Sequence, residues 1–196
     1  MNSSAFSGFL LFLLICFCCF LCVFLPIFIP RKLKARGPKF QYGSLDALKG
    51  IKELNVRIDF SQSQIKGLPE EEFLWDQCQK SSIGEGWREY WKTTCNRQLL
   101  GKFCSKANEY TRRMGLKLGE FPMAQYTALF QVQEVKKNGA TNGLLIIIDN
   151  VTEEPVAVLE RFFGVGSSIG SFENLVGDAM GRLGTKLGIF LCSNLK

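Results

Sequence analysis

Phe163-Gly164-Val165-Gly166-Ser167-Ser168-Ile169-Gly170-Ser171 is where residue type and spacing come nearest to chemistry. A glycine-rich turn between a strand and a helix leaves backbone N–H groups free, and the positive end of the helix favours an anion there. Gly164, Gly166, Gly170 and Ser171 are therefore the candidate anion-binding residues, with Ser171 as the helix N-cap. The spacing is Gly-x-Gly-x-x-x-Gly, one residue longer than the dinucleotide fingerprint. Only 26 residues follow Gly170, too few for a second βα unit carrying an acidic ribose partner. No Gly-Lys-Ser/Thr run supplies a P-loop. A tightly turned strand-to-helix connection is the plainer reading of the same glycines.

Other reactive side chains are sparse or scattered. The chain of 196 residues has no histidine, so it cannot by itself build a Ser-His-Asp triad, a Cys-His pair or an imidazole metal site. Cys78, Cys95, Cys104 and Cys192 lack zinc-ligand spacing. An oxidising compartment could pair them, and a reduced cytosol fits them equally. Glu70, Glu71 and Glu72 stand at a predicted helix start, where they complement the dipole. Asp149, Glu153 and Glu154 fall in a predicted hairpin turn. No two carboxylates are placed as an acid–base couple. Asn150-Val151-Thr152 matches a glycosylation acceptor, which has meaning only with an ER-lumen address. No catalytic residue, metal or cofactor is expected.

The elements that would position these residues begin with an apolar run. Residues 9–29 carry no charge, and about 20 such residues suffice for a helix to cross a bilayer. The run is too long for a secretory signal, no basic residue precedes it, and no small-x-small site follows it. It reads as an uncleaved single-pass anchor over residues 1–30, with the lipid bilayer as partner. Cys16, Cys18, Cys19 and Cys22 within it read as small helix filler. Arg31, Lys32, Lys34, Arg36 and Lys39 form a basic cluster suited to an anionic membrane surface. By the positive-inside rule it places the domain in the cytoplasm. Residues 40–196 then hold 19 basic against 18 acidic residues, so no basic face is left for nucleic acid.

Residues 31–53 read as a basic, Gly/Pro-punctuated linker, and 54–196 as the folded domain. Leu54 to Phe60 alternates apolar and polar residues as a half-buried strand does. Pro69 and the acids after it start a helix. Trp87, Trp91, Cys95, Leu99, Phe103, Ala107, Tyr110 and Met114 make one stripe of a helix over 85–114, closed by Gly115 and Gly119. Three strands follow, at 126–135, 144–148 and 155–163. The middle one is continuously apolar, as in a strand covered on both faces. A last helix spans 171–192. Its Gly177, Gly181, Gly184 and Gly188 form a stripe of their own, each costing about 1 kcal/mol relative to alanine. Such a stripe serves close approach, either to a partner helix or to this domain's own elements.

Arg57 to Phe73, Gly86-Trp87-Arg88-Glu89-Tyr90-Trp91 and the terminal Gly-Ser-Phe-Glu-Asn-Leu-Val-Gly-Asp-Ala-Met-Gly-Arg-Leu-Gly run resemble uncharacterised proteins common in gut Bacteroidota, over residues 54–192. The resemblance implies a small α+β domain in the cell envelope and carries no functional residue across. The Cys- and Phe-rich anchor, with no basic residue before it, departs from those proteins.

The fold expected is therefore α+β: one transmembrane helix, then a domain of order β-α-α-β-β-β-α with a mainly antiparallel sheet. The function expected is a membrane-anchored, non-catalytic binding or assembly module. The sheet face and the glycine stripe would be its contact surfaces, for a protein partner or for self-association. The alternative is anion or nucleotide binding at 164–171.

Overall fold

The protein is described here by a computed structural model covering residues 37–167 and 169–195. In chain order its elements are β1 (Lys39–Gly43), a 3-10 turn (Asp46–Leu48), β2 (Glu53–Asp59), β3 (Gln64–Ile65), β4 (Leu68–Pro69), α1 (Glu70–Lys80) and α2 (Gly86–Tyr90). A π-helical turn (Trp91–Cys95), α3 (Asn96–Thr111), a second 3-10 turn (Arg112–Met114), β5 (Lys117–Gly119), β6 (Tyr126–Val135), β7 (Thr141–Asp149), β8 (Pro155–Gly164) and α4 (Phe172–Asn194) complete it.

The eight strands form one mixed sheet of order β1-β8-β7-β6-β2-β5, with β3 and β4 attached beside β6. β6, β7 and β8 are an antiparallel meander, and β1 adds antiparallel to β8. β2 runs parallel to β6 and to β5. A parallel neighbour needs a long crossover connection, and the helices between β2 and β5 supply it.

The alternation of β2 sends Leu54, Val56 and Ile58 to the helix side, where they are buried. They join Ala128, Phe130 and Val132 of β6, Leu145 and Ile147 of β7, and Ala157, Leu159 and Phe162 of β8 in one core cluster. α3 and α4 lie on this inner face through Leu99, Phe103, Ala107, Val176, Met180, Leu183 and Leu187. Phe73, Trp87, Trp91 and Phe172 extend the core as an aromatic group, with ring centroids 5.5–6.3 Å apart.

Several expectations need correction. No helix among the described residues is long and apolar enough to cross a membrane, so a single-pass helix is removed from the description of the fold. The run at 9–29, and with it the anchor 1–30, lies outside the described residues. The order β-α-α-β-β-β-α is too simple. β1 and a 3-10 turn occupy part of the stretch read as linker, β3 to β5 are additional short strands, and three of the seven strand pairings are parallel. Strands of two to five residues are too short to show a period in the sequence. The apolar strand β7 is covered on one face only. Leu145 and Ile147 are buried, whereas Leu144, Ile146 and Ile148 are half-buried on the side away from the helices.

Candidate functional site

The glycines of the expected anion loop sit against protein backbone. A Cβ on Gly164 would lie 2.4 Å from the Ala179 carbonyl oxygen, and one on Gly166 2.1 Å from that of Asn138. These two residues let the end of β8 pass close to α4 and to the 136–140 turn. Gly170 has a positive φ of 136°, and the Ser171 hydroxyl accepts from the Asn174 N–H at 3.4 Å as an N-cap. The loop is thus a packed connection followed by an ordinary helix cap.

The glycine stripe packs α4 on α3 of the same domain. A Cβ on Gly184 would lie 2.0 Å from the Phe103 carbonyl oxygen, and one on Gly188 2.6 Å from that of Ala107. Gly177 and Gly181 face the flexible side chains of Lys102 and Lys106 instead. Of the basic cluster, Arg31, Lys32, Lys34 and Arg36 lie outside the described residues. Lys39 is exposed on β1, in register with Glu160.

Two surfaces that no local motif announces take their place. The first is the outer face of the sheet. Arg57, Leu129, Ile146, Val158 and Tyr42 stand opposite one another across β2, β6, β7, β8 and β1. Opposed residues of a sheet share a face, so the five make one transverse row. At about 4.8 Å between strands, the row is about 19 Å long. Leu144 and Ile148 flank its centre. Leu129, Leu144, Ile146, Ile148 and Val158 are not part of the core cluster, and Tyr42 is 60% exposed.

The second is a cleft of about 710 Å³ between β2, the start of α3 and the segment after β5. Its floor is held by a chain of hydrogen bonds. The Asn55 amide donates to the Thr127 hydroxyl at 3.0 Å, and that hydroxyl donates to Asn150 Oδ1 at 2.9 Å. Asn150 Nδ2 donates to the Ala124 carbonyl at 2.7 Å, and Asn55 Oδ1 accepts from the Phe121 N–H at 2.9 Å. Every polar atom of the two asparagine side chains is thereby engaged, which fixes the floor. Arg57, Lys92 and Arg97 are the bases lining the cleft and Glu120 the acid. Lys92 is drawn toward Glu71 at 2.9 Å. That ammonium, with Arg88, holds the Glu71 carboxyl below the usual carboxylate range.

Reactive groups near these surfaces are quiet. Burial pushes the Cys95 and Cys104 thiols up to about 12, far from the thiolate form that attacks or ligates. The four cysteines of the described residues are unpaired. What both surfaces can do is bind: one by apolar area, the other by oriented polar groups and positive charge.

No family model matches the chain, and no curated protein matches it. Among solved structures, it is similar to the PelC dodecamer from Paraburkholderia phytofirmans, with 11% identity, a TM-score of 0.36, and coverage of 76% of this chain and 97% of that one. A single-residue variant of that dodecamer in another crystal form gives 10% identity and a TM-score of 0.38 at the same coverage.

Proposed function

We propose that this chain is a non-catalytic assembly module that associates with a second copy of itself through the outer face of its sheet. The observation that carries this reading is β7. Leu144 to Ile148 is apolar at every position, a pattern of strands buried on both sides, yet its outer residues Leu144, Ile146 and Ile148 are only half-buried. A second sheet packed at about 10 Å would complete their cover.

The row across the sheet favours a copy of the same chain. Ile146 is its midpoint. A two-fold axis through Ile146 lays Leu129 of one copy over Val158 of the other, and Arg57 over the exposed ring of Tyr42. That last contact is a cation–π pair, worth about 0.5–1 kcal/mol at an exposed site. Isologous interfaces of this kind are the commonest route to dimers.

Sedimentation velocity on the full chain, dispersed in a mild detergent, tests the reading. The native chain is expected to sediment as a dimer and Ile146→Glu as a monomer. Because Ile146 points away from the helices, the variant should keep the native circular dichroism spectrum. A native chain that stays monomeric at tens of micromolar, or an Ile146→Glu chain that stays dimeric, contradicts it.

A further inference from the structure

The two turns of the meander carry opposite charge and lie at opposite ends of the strands. The β6–β7 turn brings Lys136 and Lys137 to one end, with no acid between Val135 and Thr141. The β7–β8 turn brings Asp149, Glu153 and Glu154 to the other, with no base. Lys136 stands 3.9 Å from Glu134, and Lys137 is exposed beside it. Two further bases gather at this end. The Lys66 N–H donates to the Val135 carbonyl at 2.7 Å, which sets Lys66 next to Lys136. Lys186 reaches from α4 to the Phe163 carbonyl.

Apolar side chains protrude among these cations. Residues 165–171 carry no charge. They meet the β6–β7 turn where a Cβ on Gly166 would strike the Asn138 carbonyl. Val165 is 42% and Ile169 86% exposed. Met123 and Val151 are also exposed, but they belong to the acidic end, where Asn150 holds the Ala124 carbonyl. The chain outside the described residues arrives at the basic end too. β1 opens with Lys39 opposite Glu160 and closes with Gly43 opposite Ala157. It therefore runs away from the basic end, and residues 37–38 lead toward it. Just ahead of Gly37 in the sequence come Arg31, Lys32, Lys34 and Arg36, and before them the uncharged run at 9–29.

We propose that this end of the domain docks on an anionic lipid surface. Ile169 and Val165 enter the headgroup layer, and Lys136 and Lys137 meet the lipid phosphates and carboxylates. An anionic lipid surface takes up cations and aliphatic side chains together; a nucleic acid or an acidic protein would satisfy the cations and leave Ile169 in water. The opposite end, with its three turn acids, is repelled by the same surface. The contact is peripheral and needs no helix to cross the bilayer. It lies at the end of the sheet and needs one copy only, so it stands independently of self-association. The two-fold axis through Ile146 runs along the strands, which keeps the basic ends of both copies on one side.

The test is fluorescence quenching on the full chain mixed with vesicles of equal parts phosphatidylserine and phosphatidylcholine that carry a nitroxide-labelled lipid. An environment-sensitive fluorophore is placed at Ile169→Cys or, as the control at the other end, at Val151→Cys, with the other reactive thiols replaced by serine. The label at 169 is expected to be quenched and shifted to the blue, and the label at 151 to stay as in water. Lys136→Glu with Lys137→Glu, added to the Ile169→Cys chain, is expected to lower the docking equilibrium about tenfold or more, and raised salt to weaken it. Both lysines are exposed, so circular dichroism should be unchanged. No quenching at 169, equal quenching at 151, equal quenching with phosphatidylcholine alone, or quenching untouched by the double charge reversal overturns the proposal.

Discussion

Glu70 opens α1 with its carboxyl largely out of water. Burial raises its pKa above the ordinary glutamate value, and a hydrogen bond to the Trp91 side chain pulls weakly the other way. A folded-state pKa above the unfolded one adds stability below the unfolded value, and that contribution is lost as pH rises through the folded value. Glu70→Gln removes this dependence while keeping an acceptor for Trp91. The variant should therefore gain on the native chain between pH 4 and pH 7, read as the shift in urea midpoint at each pH. Equal shifts at both would refute it. Glu70 was legible as a helix-start acid, but its burial was not, because the sequence does not say which first-turn acid faces Trp91. The cleft residues were hidden for a related reason. Asn55, Thr127 and Asn150 are far apart in the chain and become a cluster only when β2 and β6 pair in parallel.

The helices were the most legible elements, since their apolar positions recur at helical spacing. Even so, the stripe from Trp87 to Ala107 advances by four residues at every step. On an α-helix each such step drifts by about 40°. The π-helical turn at Trp91–Cys95 is a wider turn that takes up part of this drift, so the constant step of four was its signal. The glycine stripe of α4 divides by position. A Cβ on Gly184 would strike the Phe103 backbone, while one on Gly181 would rest 3.5 Å from Lys106 Cγ. Gly184→Ala should cost about 1–3 kcal/mol through forced separation of α3 and α4. Gly181→Ala should stabilise by up to about 1 kcal/mol through helix propensity. Urea unfolding of both variants checks this; similar effects of the two would mean that the stripe does not pack as described.

For the whole molecule, the meander of β6, β7 and β8 could be read from apolar runs separated by polar turns. The mixed character of the sheet could not, because a period of two records faces and not partners. The apolar run of β7 leads the sequence to predict cover on both sides, and the described domain covers it on one. The central claim is that a second copy covers it on the other, with Ile146 on the two-fold axis. The most direct measurement is crosslinking of single-cysteine variants with a short bismaleimide, with the other reactive thiols replaced by serine. Ile146→Cys should crosslink to itself. Tyr42→Cys should not, since the axis sets its two copies about 19 Å apart across the strands. A mixture of Tyr42→Cys and Arg57→Cys chains should crosslink to each other. Self-crosslinking at Tyr42→Cys, or none at Ile146→Cys, would contradict the account.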